Sequence, residues 1–159
     1  MNVRQTLRRG LALSLSVSLI GALSAGSAAA GVKVKLEDVP KAAVKAVQDR
    51  FAKATISNVD RETNGDFEFT LKEGERLFDV GVKPDGKLLN IKEELAEDKL
   101  PAAVKEGLQK AHLGAKIVET EKVTVIGEKS EKVTYEMKIK VDKQTLEVAL
   151  DEAGVPVKD

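Results

Sequence analysis

The chain has no cysteine, no tryptophan, one tyrosine and one histidine among its 159 residues. The lack of cysteine excludes a disulfide framework and a thiolate metal site, so the apolar core alone must hold the fold. A single histidine, His112, cannot supply the histidine-rich ligand sets that most zinc sites use. The scarcity of aromatic side chains argues against a binding surface built on aromatic anchors.

The sequence also lacks the residue patterns of an active site. General-base chemistry by His112 would need a positioned nucleophile, and its place near the buried stripe of a helix predicts a packing or rim residue. The acidic stretches at Asp85 and Asp151 lack the alternating ligands and the terminal glutamate of a calcium loop. We therefore predict no enzyme activity, no catalytic residue, no cofactor and no metal site.

Residues 1–30 have the three parts of a secretory signal peptide. A start with three arginines and no acid leads into an apolar stretch over 11–23 and then into small residues over 24–30. We predict cleavage after Ala30 and export to the periplasm or the extracellular space. The alternative is an uncleaved anchor, but a spanning helix needs about 20 strongly apolar residues and this stretch is short and diluted by serine and glycine.

The charge balance after cleavage argues against nucleic acid and an anionic membrane as partners. Loss of the three arginines reduces the 26 basic residues to 23, against 26 acidic ones, a balance of about −3. No basic stripe is present to neutralise phosphates. A protein or peptide is therefore the predicted partner.

The chain after residue 30 consists of two similar segments, which indicates a duplicated structural unit. Residues 67–71 correspond to 135–139, residues 78–82 correspond to 146–150, and Gly86 corresponds to Gly154. We predict a first repeat over 36–94 and a second over 97–159. Units of about 60 residues are marginal by themselves, so the two are expected to pack into one cooperative domain.

Apolar residues at every fourth position predict one helix at the start of each repeat. The first helix is expected over 38–53, with Asp38 as its cap and Pro40 in its first turn. The second is expected from about residue 100, and Gly114 is a natural stop for it. The two apolar stripes are Val39, Ala43, Val47, Phe51 and Leu100, Val104, Leu108, Ala111.

After each helix the apolar period changes from four to two, which is typical of half-buried strands. Strands are expected over 67–71, 78–82, 135–139 and 146–150, and also over 56–61 and 117–126. Short strands are expected over 88–91 and 155–157, with a longer loop around 127–132. The predicted fold is an α+β protein of two tandem repeats, each with one helix packed on an antiparallel β-meander sheet.

The helices are expected to cover one face of the sheet and to leave the other face open. Tyr135 has the parity of the buried residues. Side chains of the opposite parity should lie on the open face, and from this parity alone we predict that they contact a protein partner. These candidate contact residues are Glu68, Thr70, Asp79, Glu136, Lys138 and Glu147.

The order of these motifs resembles the PepSY domain. A helix opening at Val39-Pro40 or Leu100-Pro101 is followed by a strand such as 135–137 and by a strand over 146–151 that closes on Gly154. Two copies behind a signal peptide are similar to the PepSY-like, beta-lactamase-inhibitor-like exported bacterial proteins. The resemblance covers about residues 36–159, and it implies inhibitory or regulatory binding to peptidases or other enzymes, without catalytic residues.

The predicted function is a non-catalytic exported binding module that docks a protein or peptide on its open sheet face or at a sheet edge. The inhibitor type in this family is expected to bind through aromatics on the open face, and this chain places none there. Docking at a sheet edge needs only backbone groups. The alternative is a structural or envelope-maintenance protein with no discrete ligand.

Overall fold

The computed structural model describes residues 31–157 and has an α+β fold of two helices and eight strands. The predicted signal peptide lies outside the described residues. Within them, neither helix is long and apolar enough to cross a bilayer. The helices are α1 (Lys41–Arg50) and α2 (Ala102–Ala111), and the strands are β1 (Val32–Lys33), β2 (Thr55–Arg61), β3 (Phe67–Glu73), β4 (Arg76–Val82), β5 (Leu88–Glu94), β6 (Lys116–Ile126), β7 (Glu131–Val141) and β8 (Gln144–Asp151).

All eight strands form one antiparallel sheet in which the spatial order follows the chain order. The central pairing joins β5 to β6, from Asn90↔Val125 to Glu94↔Glu121. These bonds connect the strands that follow α1 to the strands that follow α2. The two halves of the chain therefore share one continuous sheet.

Both helices pack on the same face of this sheet, each over its own apolar cluster. Phe78 of the first cluster and Tyr135 of the second share a face because the register runs Phe78↔Glu93, Glu93↔Lys122 and Lys122↔Tyr135. The alternation in β3, β4, β7 and β8 thus buries the predicted side chains. The first cluster contains Val39, Ala43, Val47, Val59, Phe67, Phe69, Leu71, Phe78, Val80, Val82 and Ile91, and the second contains Leu100, Val104, Leu108, Tyr135, Met137, Ile139 and Leu150.

Helix α1 begins later than the sequence predicts. Asp38 does not cap it, because Asp38 lies in a short 3-10 turn and Val39 has an extended backbone with φ −85° and ψ 137°. A residue that precedes proline is disfavoured in the helical region, so the helix begins only after Pro40. Pro40 is the N-cap residue itself, and no side chain caps the helix. Phe51 is the C-cap residue, so the helix is also shorter at its end.

Further boundaries differ from expectation, and β5 extends to Glu94, beyond the short strand predicted over 88–91. Ala111 is exposed and lies outside the second cluster, because the helix ends there and a single methyl group is short. Strand β7 begins at Glu131, so the predicted loop shrinks to residues 127–130. Residues 155–157 form one isolated bridge, Leu150↔Pro156, and no strand.

Close contact between glycines seats α2 against the turn that follows β8. A Cβ atom added at Gly107 would collide with the carbonyl oxygen of Gly154, and one added at Gly154 would collide with the carbonyl oxygen of Ala103. Gly154 also has a φ of +76°, which glycine adopts without strain. In the first half of the chain, a Cβ added at Gly86 would lie 2.7 Å from the oxygen of Ala42 in α1.

Candidate protein-binding face

The sheet face opposite the helices, here called the open face, carries all of the predicted contact residues. Thr70 and Asp79 lie opposite each other on β3 and β4, and Lys138 and Glu147 lie opposite each other on β7 and β8. Their chain neighbours Phe69, Val80, Met137 and Ile139 are buried under the helices. The parity argument therefore places these side chains correctly, while their role in binding stays a prediction.

These residues form two groups that do not touch. In the first group, the Thr70 hydroxyl donates a hydrogen bond of 2.8 Å to Asp79 Oδ1. In the second, Lys138 Nζ donates a bond of 2.7 Å to Glu119 Oε2, a partner that sequence reasoning missed. Strands β4 and β7 are three strand spacings apart, or about 14 Å. Side chains of β5 and β6 fill the space between the groups.

Sequence reasoning missed the centre of the open face, which Lys92, Glu121 and Val123 occupy. The register places Lys92 beside Asp79 on one side and beside Val123 on the other. In β5, the polar run Lys92-Glu93-Glu94 hides the alternation, because Glu93 faces the helix side and accepts a 2.8 Å bond from Arg76. In β6 the apolar residues Val123 and Val125 point to the open face, the reverse of the usual pattern.

Two side chains of the open face are buried although no helix covers them. Val123 is only 5% exposed and Thr134 only 8% exposed, although both lie on the open face and outside both apolar clusters. Beside them lies a hollow of about 250 Å³ over β6, β7 and β8. The charged residues that line this hollow are Glu119, Glu121, Glu136, Lys138 and Glu147.

Carboxylates stand directly opposite one another in three pairs on the open face. Asp60 pairs with Glu68 across β2 and β3, and Glu121 pairs with both Glu94 of β5 and Glu136 of β7. Like charges in directly opposed positions destabilise a sheet. Burial, more than any other cause, raises the pKa of Glu121, and the neighbouring carboxylates Glu136, Asp79 and Glu119 raise it further while Lys92 opposes them.

The pKa of Glu68 is also raised, again chiefly because burial disfavours the charged form. Lys92 acts in the opposite direction, and Asp79, Glu62 and Asp60 add to the increase. Lys92 thus lies between two half-buried glutamates and stabilises the charge of both. Lys92 is therefore the cation among the carboxylates of Glu68, Asp79 and Glu121.

Replacing Glu121 with glutamine is expected to raise the free energy of unfolding by about 0.5 kcal/mol at pH 7, because it removes a half-buried charge and its contacts with neighbouring carboxylates. The gain should vanish in acid. Since the folded state raises the pKa of Glu121, the penalty is absent below the unfolded pKa and grows as the pH rises through the folded value. Urea unfolding at pH 3 and pH 7 measures both effects.

The matched control for this prediction is Glu97→Gln, which removes the same charge from a 3-10 turn away from the open face. Its free energy of unfolding should match that of the wild type at both pH values. A Glu121→Gln protein less stable than the wild type at pH 7, or equally stabilised at pH 3, would contradict the view that the charged form of Glu121 costs folding free energy.

The open face lacks the aromatic anchors and metal ligands of other kinds of site. In the part of the chain that the structure describes, no three Asp, Glu or His side chains are grouped so that they could hold a metal ion. Tyr135 is 7% exposed on the helix side, and burial is the main cause that raises its pKa. His112 is the C-cap residue of α2 and is half-buried, with its backbone N–H 2.8 Å from Leu108 O.

Neither a protein-family model nor a curated protein matches the sequence. Solved structures do share the fold. A BLIP-like protein from Bacteroides fragilis is 15% identical, with a TM-score of 0.62 over 76% of this chain and 84% of its own. A DUF2874 family protein from Bacteroides ovatus is 13% identical, with a TM-score of 0.66 over 76% and 85%.

A third similar structure, from Bacteroides eggerthii, is of a "putative periplasmic" protein that is 14% identical, with a TM-score of 0.61 over 76% of this chain and 86% of its own. Identities this low establish a shared fold and nothing more. The fold is therefore BLIP-like: an eight-stranded antiparallel sheet with two helices.

Proposed function

We propose that this protein is a non-catalytic binding module that docks a protein or peptide on its open face. The observation that carries the proposal is the burial of Val123 and Thr134 on a sheet face that no helix covers. Carboxylates without a cationic partner line the same surface. The BLIP-like fold of a solved neighbour supports a binding role, since that protein is named for its likeness to an inhibitor.

The finer organisation belongs to the same proposal: export by a signal peptide over 1–30, followed by two PepSY-like repeats over 36–94 and 97–159. Matching turns support the repeats. Lys83 N–H bonds to Lys87 O and Gly86 N–H to Lys83 O, while Asp151 N–H bonds to Val155 O and Gly154 N–H to Asp151 O. Each bond is 2.9 Å long.

Inhibition or regulation of a peptidase or another envelope enzyme is the role that this module would perform. Because the aromatic residues of the described chain lie at the helix side or at a helix cap, charge and shape must supply the recognition. The first half of edge strand β8, before Ala149, is a second docking place, since a partner strand needs only backbone groups there and residues 155–157 already pair with the second half.

Charge exchange on the open face tests this proposal. Residues 31–159 would be immobilised, exposed to native exported extract, and compared with Glu136→Lys/Lys138→Glu by quantitative mass spectrometry of the bound proteins. The matched control is Lys45→Glu/Asp49→Lys, which exchanges an exposed pair on α1 whose atoms lie 2.7 Å apart. We expect one partner to be retained by the wild type and the control and reduced about tenfold by the open-face variant.

The three proteins have the same net charge, so any difference between them reports position and not total charge. Equal capture by all three would refute docking on the open face. An empty eluate at low and moderate salt would favour the structural role in the envelope.

A further inference from the structure

We infer that the glutamate-lined hollow over β6, β7 and β8 receives an arginine or lysine side chain of the docked partner. This inference rests on the proposed function and assigns a chemical class to its partner. Its site is the hollow of about 250 Å³ that Glu119, Glu121, Glu136, Lys138 and Glu147 line. A guanidinium or ammonium group on a flexible apolar stem suits a depression of this size, which the apolar residues Met137, Val148 and Ala149 line beside the charged ones.

The hollow holds more negative charge than the chain neutralises. Among the described residues, Lys138–Glu119 at 2.7 Å is the one ion pair closer than 4.0 Å between open-face side chains. The carboxylates of Glu121, Glu136 and Glu147 have no cation within that distance in residues 31–157. Lys138 interacts with Glu147 and Glu121 only at longer range.

The register shows that this excess is built into the sheet. Glu94, Glu121 and Glu136 follow one another on β5, β6 and β7 in directly opposed positions. Such a row destabilises the folded protein. When a partner with a positive charge binds, the repulsion between these carboxylates is relieved. This relief adds to the free energy of binding a cationic group.

The centre of the open face, next to the hollow, carries an internal example of the same arrangement. Lys92 lies beside Asp79, and it stabilises the charged forms of Glu68 and Glu121. There the chain provides its own lysine among carboxylates. Over β7 and β8 the corresponding cation is missing, because Lys138 is already bonded to Glu119.

Fluorescence anisotropy with a labelled tetra-arginine peptide tests the inference, with tetra-citrulline as the uncharged probe of the same shape. The protein is residues 31–159 in 20 mM and 150 mM salt. We expect Glu121→Gln/Glu136→Gln to weaken tetra-arginine binding about tenfold and Lys138→Gln to strengthen it about threefold. The matched control Glu97→Gln/Glu106→Gln removes the same charge from the surface before and along α2, and its affinity should change less than twofold.

Two results would overturn the inference: equal affinity for tetra-arginine and tetra-citrulline, or equal losses in the hollow and control variants, which would indicate attraction by net charge alone. Circular dichroism of each variant verifies that the fold is intact. If tetra-arginine fails to bind while Glu136→Lys/Lys138→Glu still abolishes capture of a partner, the proposed function stands and the cationic class fails. If tetra-arginine binds in the hollow but capture is unchanged, docking on the open face fails.

Discussion

Replacing Gly107 with alanine is expected to destabilise the protein by about 3 kcal/mol, the upper end of what overpacking a close contact typically costs. The new Cβ atom would collide with the carbonyl oxygen of Gly154. The turn that carries this oxygen has little freedom to move away. Asp151 Oδ1 accepts bonds of 3.0 and 2.9 Å from the backbone N–H groups of Ala153 and Val155.

The sign of this result separates the tertiary contact from helix propensity. Alanine inside a helix is more stable than glycine by about 1 kcal/mol, so propensity alone predicts that Gly107→Ala stabilises the protein. The reciprocal change Ala46→Gly, at the corresponding position of α1, should cost about 1 kcal/mol by propensity. Urea unfolding of both variants gives the two values, and a stabilised Gly107→Ala protein would mean that α2 and the turn separate freely.

Replacing Phe69 with alanine is expected to cost about 3–5 kcal/mol, because a large buried ring leaves a cavity that its neighbours fill only in part. Phe69 is fully buried in the first cluster, under α1. The continuous sheet predicts a further effect at a distance. Unfolding of the first half would remove β5 from β6, so the second half should unfold in the same transition.

The single tyrosine makes this coupling measurable. Tyr135 lies in the second cluster, and the chain has no tryptophan, so its fluorescence reports on the second half alone. We expect Phe69→Ala to shift the urea midpoint of Tyr135 fluorescence and of far-UV circular dichroism equally. The control Leu113→Ala changes a side chain that is 88% exposed and should alter stability by less than about 0.5 kcal/mol. A fluorescence midpoint that stays at the wild-type value would show that the two halves unfold separately.

Local pattern was sufficient for the strands at some distance from the centre of the sheet. In β3, residues Phe67, Phe69 and Leu71 alternate with polar side chains, and the structure buries all three. The same rule is correct for Tyr135, Met137 and Ile139 in β7. A period of two carries this information because neighbouring side chains of a strand point to opposite faces. Burial on one face and water on the other then select the residues.

The same rule is wrong for β6 and gives no answer for β5. Val123 and Val125 point to the open face, although alternation alone would turn them toward the helices. Between the two helices, the helix side of the sheet carries Glu93 and Lys122, opposite each other. The sheet there is polar on the helix side, while Val123 is buried on the open side, which reverses the usual relation between hydropathy and orientation.

The sequence by itself determined the α+β class, both helices, the strands that they cover and the parity of Glu68, Thr70, Asp79, Glu136, Lys138 and Glu147, because each depends on residues a few positions apart. Tertiary structure alone decided that β5 pairs with β6. Only that pairing brings Lys92, Glu121 and Val123 between the two predicted groups. Pairing between distant strands depends on the packing of the whole sheet, and no local pattern encodes it.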